Sequence, residues 1–202
     1  MVLLLAAGRA ARYGRDKRRE LLYKGLTLLE LSVDCYRRTG LHVVTCLSAQ
    51  ASDDDLESML SARGNVCIRC NDAQLGMGAT LAEAVRGVAH TASALFIALG
   101  DMPVVQRETL DALEAKAHPD RIALPCFDGR RGHPVLFGAS FFSQLASLGG
   151  DRGAVSLLQQ YASACSVVPV EDPGVVRDVD RPADGLALAQ YLRTTYDDGA
   201  SG

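Results

Sequence analysis

A loop rich in glycine and basic residues follows the first apolar run of the chain. Val2–Ala7 is apolar, and the loop after it contains Gly8, Arg12, Gly14 and Lys17. Glycines let backbone amides approach an anion closely, and Arg or Lys side chains neutralise its charge. The spacing matches neither the P-loop nor the Gly-x-Gly-x-x-Gly dinucleotide fingerprint. The loop therefore predicts a triphosphate cradle of another type, with a solvated basic loop as the alternative.

Acidic residues in two places have the chemistry of a metal site. Asp101 follows the apolar run Ala94–Leu99, and a carboxylate at the end of a buried strand can hold a hard cation. The same residue could instead cap the helix expected near Val105, because Asp is a good N-cap. Further along, Asp178 and Asp180 are two residues apart, so an extended backbone would place both carboxylates on one face, towards one cation.

Alternating strands and helices are expected to position these residues. The predicted strands are Val2–Ala7, His42–Ser48, Asn65–Arg69, Ala94–Leu99, Arg121–Cys126 and Cys165–Val170. The predicted helices are Thr27–Arg38, Asp53–Ala62, Thr80–His90, Thr109–Ala117, Gly153–Ala162 and Pro182–Thr194, the last of them started by Asp184. This alternation predicts an α/β fold with a mostly parallel sheet covered on both faces, and ligands in such folds bind outside the carboxyl ends of the strands.

Length and composition indicate one water-soluble domain. The chain has 202 residues, of which 48% are hydrophobic and 22% charged, and no apolar run approaches the about 20 residues that span a bilayer. We expect a single domain over residues 1–196, with a flexible tail at 197–202. Neither a membrane nor a nucleic acid is an expected partner, since the net charge is −3.

The charge is unevenly distributed along the chain. Residues 1–40 carry nine Lys and Arg against four Asp and Glu, although the whole chain is acidic. A concentrated positive field of this kind usually faces an anion. Within it, Lys17 is expected to be exposed in its loop, and Arg15, Arg18 and Arg19 are expected to be solvated.

The six cysteines are interpreted as structural thiols in a cytoplasmic protein, because the first residues lack the basic segment of an export signal. Cys67 and Cys70 have the spacing of half a zinc site, but the chain has no second pair at this spacing. In a strand they would lie on opposite faces.

Five segments occur in the order and approximate spacing of one known set of motifs. They are Leu5-Ala6-Ala7-Gly8 with Arg12, Gly14 and Lys17; Gly76-Met77-Gly78-Ala79-Thr80; Gly100-Asp101-Met102-Pro103; Gly132-His133-Pro134; and Asp178-Val179-Asp180. These segments resemble the motifs of the molybdenum cofactor nucleotidyltransferases, and most closely those of the cytidylyltransferase branch. In two departures, Ala10 replaces the usual Ser, and the Pro usual after the Lys is missing, which leaves the path of residues 18–25 open.

The resemblance implies a role for each matching residue. It implies a Rossmann-like three-layer α/β/α fold of the nucleotide-diphospho-sugar transferase type. The nucleotide would contact Leu5, Ala6, Ala7 and Gly8 and the helix start at Gly76, Gly78 and Thr80, and the second substrate would dock on the side of His133. Arg12 and Lys17 would bind the triphosphate, and Asp101 and Asp180 would hold Mg²⁺.

The reaction implied by the resemblance is attack of a phosphate oxygen of the acceptor on the α-phosphorus of a nucleoside triphosphate, with release of pyrophosphate. The acceptor phosphate is ionised near neutral pH, because its second pKa is about 6, so no general base is needed. The cytidylyltransferase motifs imply CTP as the nucleotide and molybdopterin as the acceptor, and a molybdoenzyme is a further possible partner.

Other functions remain open at this point. The chain could be a nucleotide-binding regulator or chaperone of a molybdoenzyme, which Ala10 favours and which Lys17, Asp101 and Asp180 oppose. It could also transfer nucleotides to another phosphorylated small molecule. A Rossmann oxidoreductase would require the dinucleotide fingerprint that the sequence lacks.

Overall fold

The computed structural model describes residues 1–8 and 13–196, so Arg12 and the tail predicted at 197–202 lie outside the described residues. The strands are Val2–Leu5 (β1), Leu21–Tyr23 (β2), Leu26–Thr27 (β3), Val43–Ser48 (β4), Val66–Cys70 (β5), Ala94–Leu99 (β6), Ile122–Phe127 (β7), Arg130–Arg131 (β8), Val135–Gly138 (β9) and Cys165–Pro169 (β10). The helices are Leu28–Arg37 (α1), Asp54–Ala62 (α2), Met77–Val88 (α3), Arg107–Glu114 (α4), Phe142–Leu145 (α5), Val155–Gln160 (α6) and Pro182–Tyr196 (α7). Each predicted strand and helix is present, Ala94–Leu99 with the predicted ends and the others with shifted ends. In the described part, none of the helices is long and apolar enough to cross a membrane.

The main sheet has the strand order β10-β7-β9-β6-β1-β4-β5, with β8 paired to β7. β1 lies between two parallel neighbours, and Leu5 pairs with Cys46 of β4 and with Leu99 of β6. The carboxyl ends of these three strands therefore meet at one edge of the sheet. The predicted, mostly parallel α/β sheet is confirmed.

Some short elements were missed by the sequence analysis. β9 runs antiparallel between β6 and β7, and β2 and β3 form a separate hairpin. β9 has only four residues and begins one residue after Pro134, so its periodicity is too short to read. In β2 and β3 the two runs have three and two residues, which is below the length at which a strand pattern becomes visible.

Helices cover both faces of the sheet. On one face, β1 packs with residues of α1, α2 and α4, namely Leu29, Val33, Tyr36, Leu56, Leu60, Leu110 and Leu113. On the other face lie residues of α3, α5 and α6, namely Leu81, Val85, Phe142, Leu145 and Leu157. Leu4 belongs to the first cluster and Leu3 to the second, as the alternation of side chains along a strand requires.

A third apolar cluster attaches the β2–β3 hairpin to the body. α7 contributes Leu188 and Leu192, the hairpin contributes Leu22, α1 contributes Leu28 and Leu31, and Tyr13, Val104 and Val179 also belong to the cluster. Tyr13 lies four residues before Lys17, and Val179 directly precedes Asp180. The cluster therefore anchors the backbone near both of these candidate site residues.

Cys67 and Cys70 lie on opposite faces of the sheet, as the sequence analysis predicted. All six cysteines lie among the described residues and are free thiols. Cys67 packs against the first apolar cluster and Cys70 belongs to the second, so the two lie on opposite faces. This arrangement cannot hold one zinc ion.

α1 begins with a capping box that is open to a direct test. The Thr27 hydroxyl accepts from the Glu30 amide at 3.2 Å, and the Glu30 carboxylate accepts from the Thr27 amide at 2.8 Å. We expect Thr27→Ala to lower the free energy of unfolding by about 1 kcal/mol in a denaturant titration, because one helix amide loses its acceptor. Ligand binding should be unchanged. An unchanged unfolding midpoint would contradict this role of the cap.

Candidate active site

A cavity of about 660 Å³ opens where the carboxyl ends of β1, β4 and β6 meet. Nine of the residues predicted to form the site line it: Leu5, Ala6, Ala7, Gly8, Lys17, Gly76, Thr80, Asp101 and Asp180. The wall also contains Met77 of the second motif, and Ser48 and Gln50, which the sequence analysis did not single out. Gly78 and His133 do not line the cavity, and Arg12 is outside the described residues. Most of the predicted site residues therefore lie around one cavity, at the carboxyl ends of the strands where the sequence analysis expected a ligand.

Lys17 lies between two carboxylates in the cavity. Its Nζ atom donates to Asp101 Oδ2 at 2.7 Å, to Asp180 Oδ1 at 3.1 Å and to the Val179 carbonyl at 2.6 Å. Only 12% of its side chain is exposed, so the expectation that Lys17 is exposed in its loop is wrong. The carboxylates of Asp101 and Asp180 attract the ammonium group inward.

The surroundings of Lys17 keep it protonated. Burial lowers the pKa of an ammonium group, but the charges of Asp101 and Asp180 and the hydrogen bonds to them outweigh burial, so the pKa of Lys17 is raised. The side chain is therefore a fixed cation throughout the neutral range. A fixed cation in this position can stabilise phosphate charge.

Asp101 is held by the end of β6 and by α1. The Gly100 amide donates to the Leu5 carbonyl at 2.9 Å, and the buried Ser32 hydroxyl of α1 donates to the Gly100 carbonyl at 2.9 Å. The Asp101 carbonyl accepts from the Val179 amide at 3.1 Å. Asp101 does not cap a helix, because α4 begins at Arg107 with Gln106 as its N-cap.

Asp178 and Asp180 line two different cavities. The segment between the turn at Pro173–Val176 and α7 is not a strand, so the expectation that both carboxylates share one face is wrong. Asp180 lines the main cavity, whereas Asp178 lines a second cavity beside α7 with Arg177 and Tyr191. Of the two, Asp180 is the one placed to meet a ligand of the main cavity.

Asp184 has the expected role at the start of α7. Its Oδ2 atom accepts from the amide of Asp180 at 3.1 Å and from the amide of Arg181 at 2.7 Å. The carboxylate thus satisfies amides before the first helical turn and holds the backbone of Asp180 in place.

The carboxylates of Asp101 and Asp180 fit a divalent metal ion. Asp101 Oδ1 is buried and has no hydrogen-bond partner among the residues that the structure describes, and an added cation would satisfy it. Within the described ranges, no group of three or more His, Cys, Asp or Glu is placed to hold a metal. The protein would therefore supply these two carboxylates, and the phosphates of a ligand and water would complete the coordination.

Gly76 and Gly78 let the start of α3 pack closely against the loop at residues 149–151. Gly76 has a φ of +111°, and a Cβ there would lie 2.2 Å from Asp151 Oδ1. A Cβ on Gly78 would lie 2.6 Å from the Gly149 carbonyl oxygen, and the Gly78 amide donates to the Gly150 carbonyl at 2.7 Å. Gly78 thus packs against backbone outside the cavity wall, and Gly76 combines this packing with a place in the wall.

His133 precedes β9 and is held by its backbone, since its amide donates to the Val175 carbonyl at 2.8 Å. Its Nδ1 atom is buried and lacks a hydrogen-bond partner in the described part of the chain. Burial lowers the pKa of His133, and a hydrogen bond to the Ile97 backbone and the charges of Asp101 and Asp178 offset this only partly. The ring is therefore neutral at pH 7.

The lowered pKa of His133 predicts a loss of stability in acid. The unfolded chain takes up a proton on this ring at higher pH than the folded chain does, so acid favours unfolding. We expect the free energy of unfolding to fall more steeply between about pH 7.5 and about pH 5 in the native chain than in His133→Gln. Denaturant titrations across this range measure the difference. Equal slopes would show that the folded state does not lower the pKa of this ring.

The three arginines around Lys17 differ from one another. Arg15 is exposed and pairs with Glu20, and Arg19 pairs with Asp55. Arg18 is buried, with 5% of its surface exposed, so the expectation that it is solvated is wrong. Arg18 stands where the resembled family usually has Pro. This departure is the sequence signal that could have indicated a buried, hydrogen-bonded side chain.

Comparisons with known proteins agree with the motifs. The model of the MobA-like NTP transferase domain matches residues 2–165. Nicotine blue oxidoreductase of Paenarthrobacter nicotinovorans is 31% identical over 191 residues, which are 88% of this chain and 90% of that protein.

Solved structures share the fold over nearly the whole chain. The Mycobacterium sp. strain JC1 homologue of Mycobacterium tuberculosis Rv0371c has a TM-score of 0.83 and 26% identity, with 96% of both chains covered. Rv0371c of Mycobacterium tuberculosis H37Rv in complex with manganese has a TM-score of 0.76 and 25% identity, with 94% of this chain and 97% of that chain covered. The three-layer fold predicted from the sequence is confirmed.

Proposed function

Because the chain belongs to the MobA-like NTP transferase family, we propose that it is a metal-dependent nucleotidyltransferase that transfers a nucleoside monophosphate from a nucleoside triphosphate to a phosphorylated acceptor. One observation carries the proposal: the cationic Lys17 lies with Asp101 and Asp180 in a cavity whose wall includes the Leu5–Gly8 segment. This arrangement combines a cation for phosphates with carboxylates for a metal ion.

The proposed reaction joins the acceptor phosphate to the α-phosphorus. A phosphate oxygen of the acceptor attacks the α-phosphorus, the bond from that phosphorus to the oxygen bridging to the β-phosphorus breaks, and pyrophosphate leaves with that oxygen. Because the acceptor phosphate is already ionised near neutral pH, the protein does not need to remove a proton. Its task is to align the two substrates and to stabilise charge.

The residues predicted to form the site divide that task in the proposed complex. The backbone of Leu5–Gly8 would bind the nucleotide, and Thr80 and Gly76 would form the opposite side of its pocket. Lys17 would stabilise the charge that develops on the departing pyrophosphate, and Arg12 would assist it. His133 would lie on the acceptor side, where its neutral ring adds no charge.

Asp101 and Asp180 would hold the metal ion, for which we propose Mg²⁺. When bound, such an ion neutralises phosphate charge and helps to fix the geometry of in-line attack. The likeness to a manganese-bound relative supports a divalent metal and makes Mn²⁺ a suitable spectroscopic probe.

CTP and molybdopterin are the proposed substrates. The Leu-Ala-Ala-Gly form of the loop and the Gly132-His133-Pro134 segment support this choice, since both resemble the cytidylyltransferase branch of the molybdenum cofactor enzymes. The product, a cytosine dinucleotide of the cofactor, would pass to a molybdoenzyme in the cytoplasm.

Release of pyrophosphate tests the reaction. The protein is mixed with CTP, GTP, ATP or UTP, with Mg²⁺, and with or without molybdopterin. We expect release that requires both Mg²⁺ and the acceptor and is fastest with CTP. Release with CTP and a different phosphorylated acceptor would retain the reaction class but reject molybdopterin. Nucleotide binding without release under any condition would favour a regulator or a chaperone of a molybdoenzyme.

A second candidate function comes from the named activity of one relative. The 31% identity to a nicotine blue oxidoreductase is compatible with an oxidoreductase that uses the same cavity. Asp101 and Asp180 argue against it, because hydride transfer needs no metal-binding pair of carboxylates. Oxidation of NADH or NADPH in the presence of a quinone-like dye, together with thermal stabilisation by the dinucleotide and not by CTP with Mg²⁺, would favour the oxidoreductase.

A further inference from the structure

We infer that Arg18 and Asp53 are positioning residues. They hold Lys17 and the strand ends at Ala6 and Ser48 in the positions that nucleotidyl transfer requires. The inference rests on the proposed function, which it extends to residues outside the known motifs. We call the set of Asp16, Arg18, Asp53 and the Ala6 carbonyl the Arg18 clip.

The guanidinium group of Arg18 uses all of its N–H donors within the clip. Nε and Nη2 donate to the two carboxylate oxygens of Asp16, each at 2.8 Å. Nη1 and Nη2 donate to the two carboxylate oxygens of Asp53, each at 2.7 Å. Nη1 also donates to the Ala6 carbonyl at 2.7 Å. Since an arginine side chain has five such donors, Arg18 has none left for a phosphate.

The clip joins the ends of two neighbouring strands. Ala6 follows β1, and its amide donates to the Cys46 carbonyl of β4 at 3.0 Å. Asp53 is fully buried. In addition to its bonds with Arg18, its carboxylate accepts a hydrogen bond at 3.0 Å from the amide of Ser48, which is the last residue of β4. Both strand ends line the cavity, so a shift of the clip moves the cavity wall.

Lys17 lies between two members of the clip in sequence. Asp16 precedes it and Arg18 follows it, and residues 17–19 form one turn of 3₁₀-helix with Asp16 as its N-cap. The Lys17 backbone is therefore fixed on both sides, while its side chain extends to Asp101 and Asp180. The clip thus determines where the ammonium group lies.

Charge supports positioning over ligand binding. The carboxylates of Asp16 and Asp53 offset the positive charge of Arg18, with Asp16 shared by Arg19, and a bidentate guanidinium pair is rigid as well as strong. The side-chain bonds of Arg18 restrain the backbone after Lys17. A shift of about 1 Å at a reacting group can cost about 100-fold in rate, so such a clip has a large effect on turnover.

Chemical labelling of Lys17 tests the clip without any substrate. The chain has three lysines, Lys17, Lys24 and Lys116, and the last two are exposed. We expect an acylating reagent to modify Lys24 and Lys116 quickly and Lys17 slowly in the native protein, as read by mass spectrometry. In Arg18→Gln and Asp53→Asn, labelling of Lys17 should approach that of the two exposed lysines, and kcat for nucleotidyl transfer should fall by about 100-fold.

Arg63→Gln is the matched control. Arg63 pairs with Glu30 at 2.9 Å and with Asp34 at 2.7 Å, and it lines neither of the two cavities. This variant should lose stability while kcat and the labelling of Lys17 stay at native values. Asp53→Asn preserves the shape of the side chain and serves if Arg18→Gln does not fold.

The outcomes separate the clip from the proposed reaction. Native labelling and native kcat in folded Arg18→Gln or Asp53→Asn would overturn the inference, and so would failure of both variants to fold, since the pair would then serve the whole fold. Increased labelling of Lys17 in a protein that transfers no nucleotide would support the clip and reject the proposed function alone.

Discussion

Asp101→Asn is expected to lower the rate of nucleotidyl transfer by about 100-fold or more. The amide oxygen of Asn can still accept from Lys17, so the contact at 2.7 Å retains an acceptor. The substitution removes the negative charge and the buried Oδ1 atom that lacks a partner among the described residues. Metal binding is therefore the property that changes most. Steady-state rates with CTP and Mg²⁺ measure the loss.

Direct titration with Mn²⁺ separates metal binding from catalysis. We expect Asp101→Asn to bind Mn²⁺ more weakly than the native protein in an electron paramagnetic resonance titration. Asp178→Asn is the matched control, because Asp178 lines the second cavity and not the main one. It should keep native Mn²⁺ affinity and native rates. Full activity of Asp101→Asn with unchanged Mn²⁺ affinity would remove Asp101 from the metal site.

The sheet and its helices could be predicted because their signals are local. Buried strands such as Ala94–Leu99 are continuous apolar runs, and helices such as α1 show periodicity over ten residues. β9 was missed because it has only four residues, and its place beside β6 depends on pairing across the intervening α4 and β7. The order of strands in a sheet depends on such long-range pairing, which no local pattern contains.

The site could be predicted where single motifs lie at strand ends. Asp101 follows β6 and the Leu5–Gly8 segment ends β1, so the topology alone brings them together. The contacts of Lys17 with Asp180 join residues 163 positions apart, and the separation of Asp178 from Asp180 depends on the non-extended path before α7. The burial of Arg18 could not be predicted for the same reason, because its partner Asp53 is 35 positions away. From the sequence alone, a basic residue in a basic loop is expected to be solvated.

Lys17→Met is expected to have two opposite effects on the proposed enzyme. Turnover should fall by about 100-fold, because the variant loses a fixed cation at the phosphates. Mn²⁺ alone should bind more tightly than in the native protein, because the ammonium group no longer neutralises the carboxylates of Asp101 and Asp180. A purely structural role for Lys17 predicts no gain in metal affinity.

The cost in stability of Lys17→Met should be modest. Breaking a fully buried ion pair costs about 3–5 kcal/mol, and an exposed pair contributes about 0–1 kcal/mol. The Asp101 and Asp180 side chains are 22% and 42% exposed, so water can solvate them, and we expect a loss of about 1–2 kcal/mol. Lys116→Met, which changes an exposed lysine beyond the end of α4, should change neither rate nor Mn²⁺ affinity. Native turnover in Lys17→Met would exclude the lysine from catalysis, and unchanged Mn²⁺ affinity would show that the ammonium group and the metal do not compete for these carboxylates.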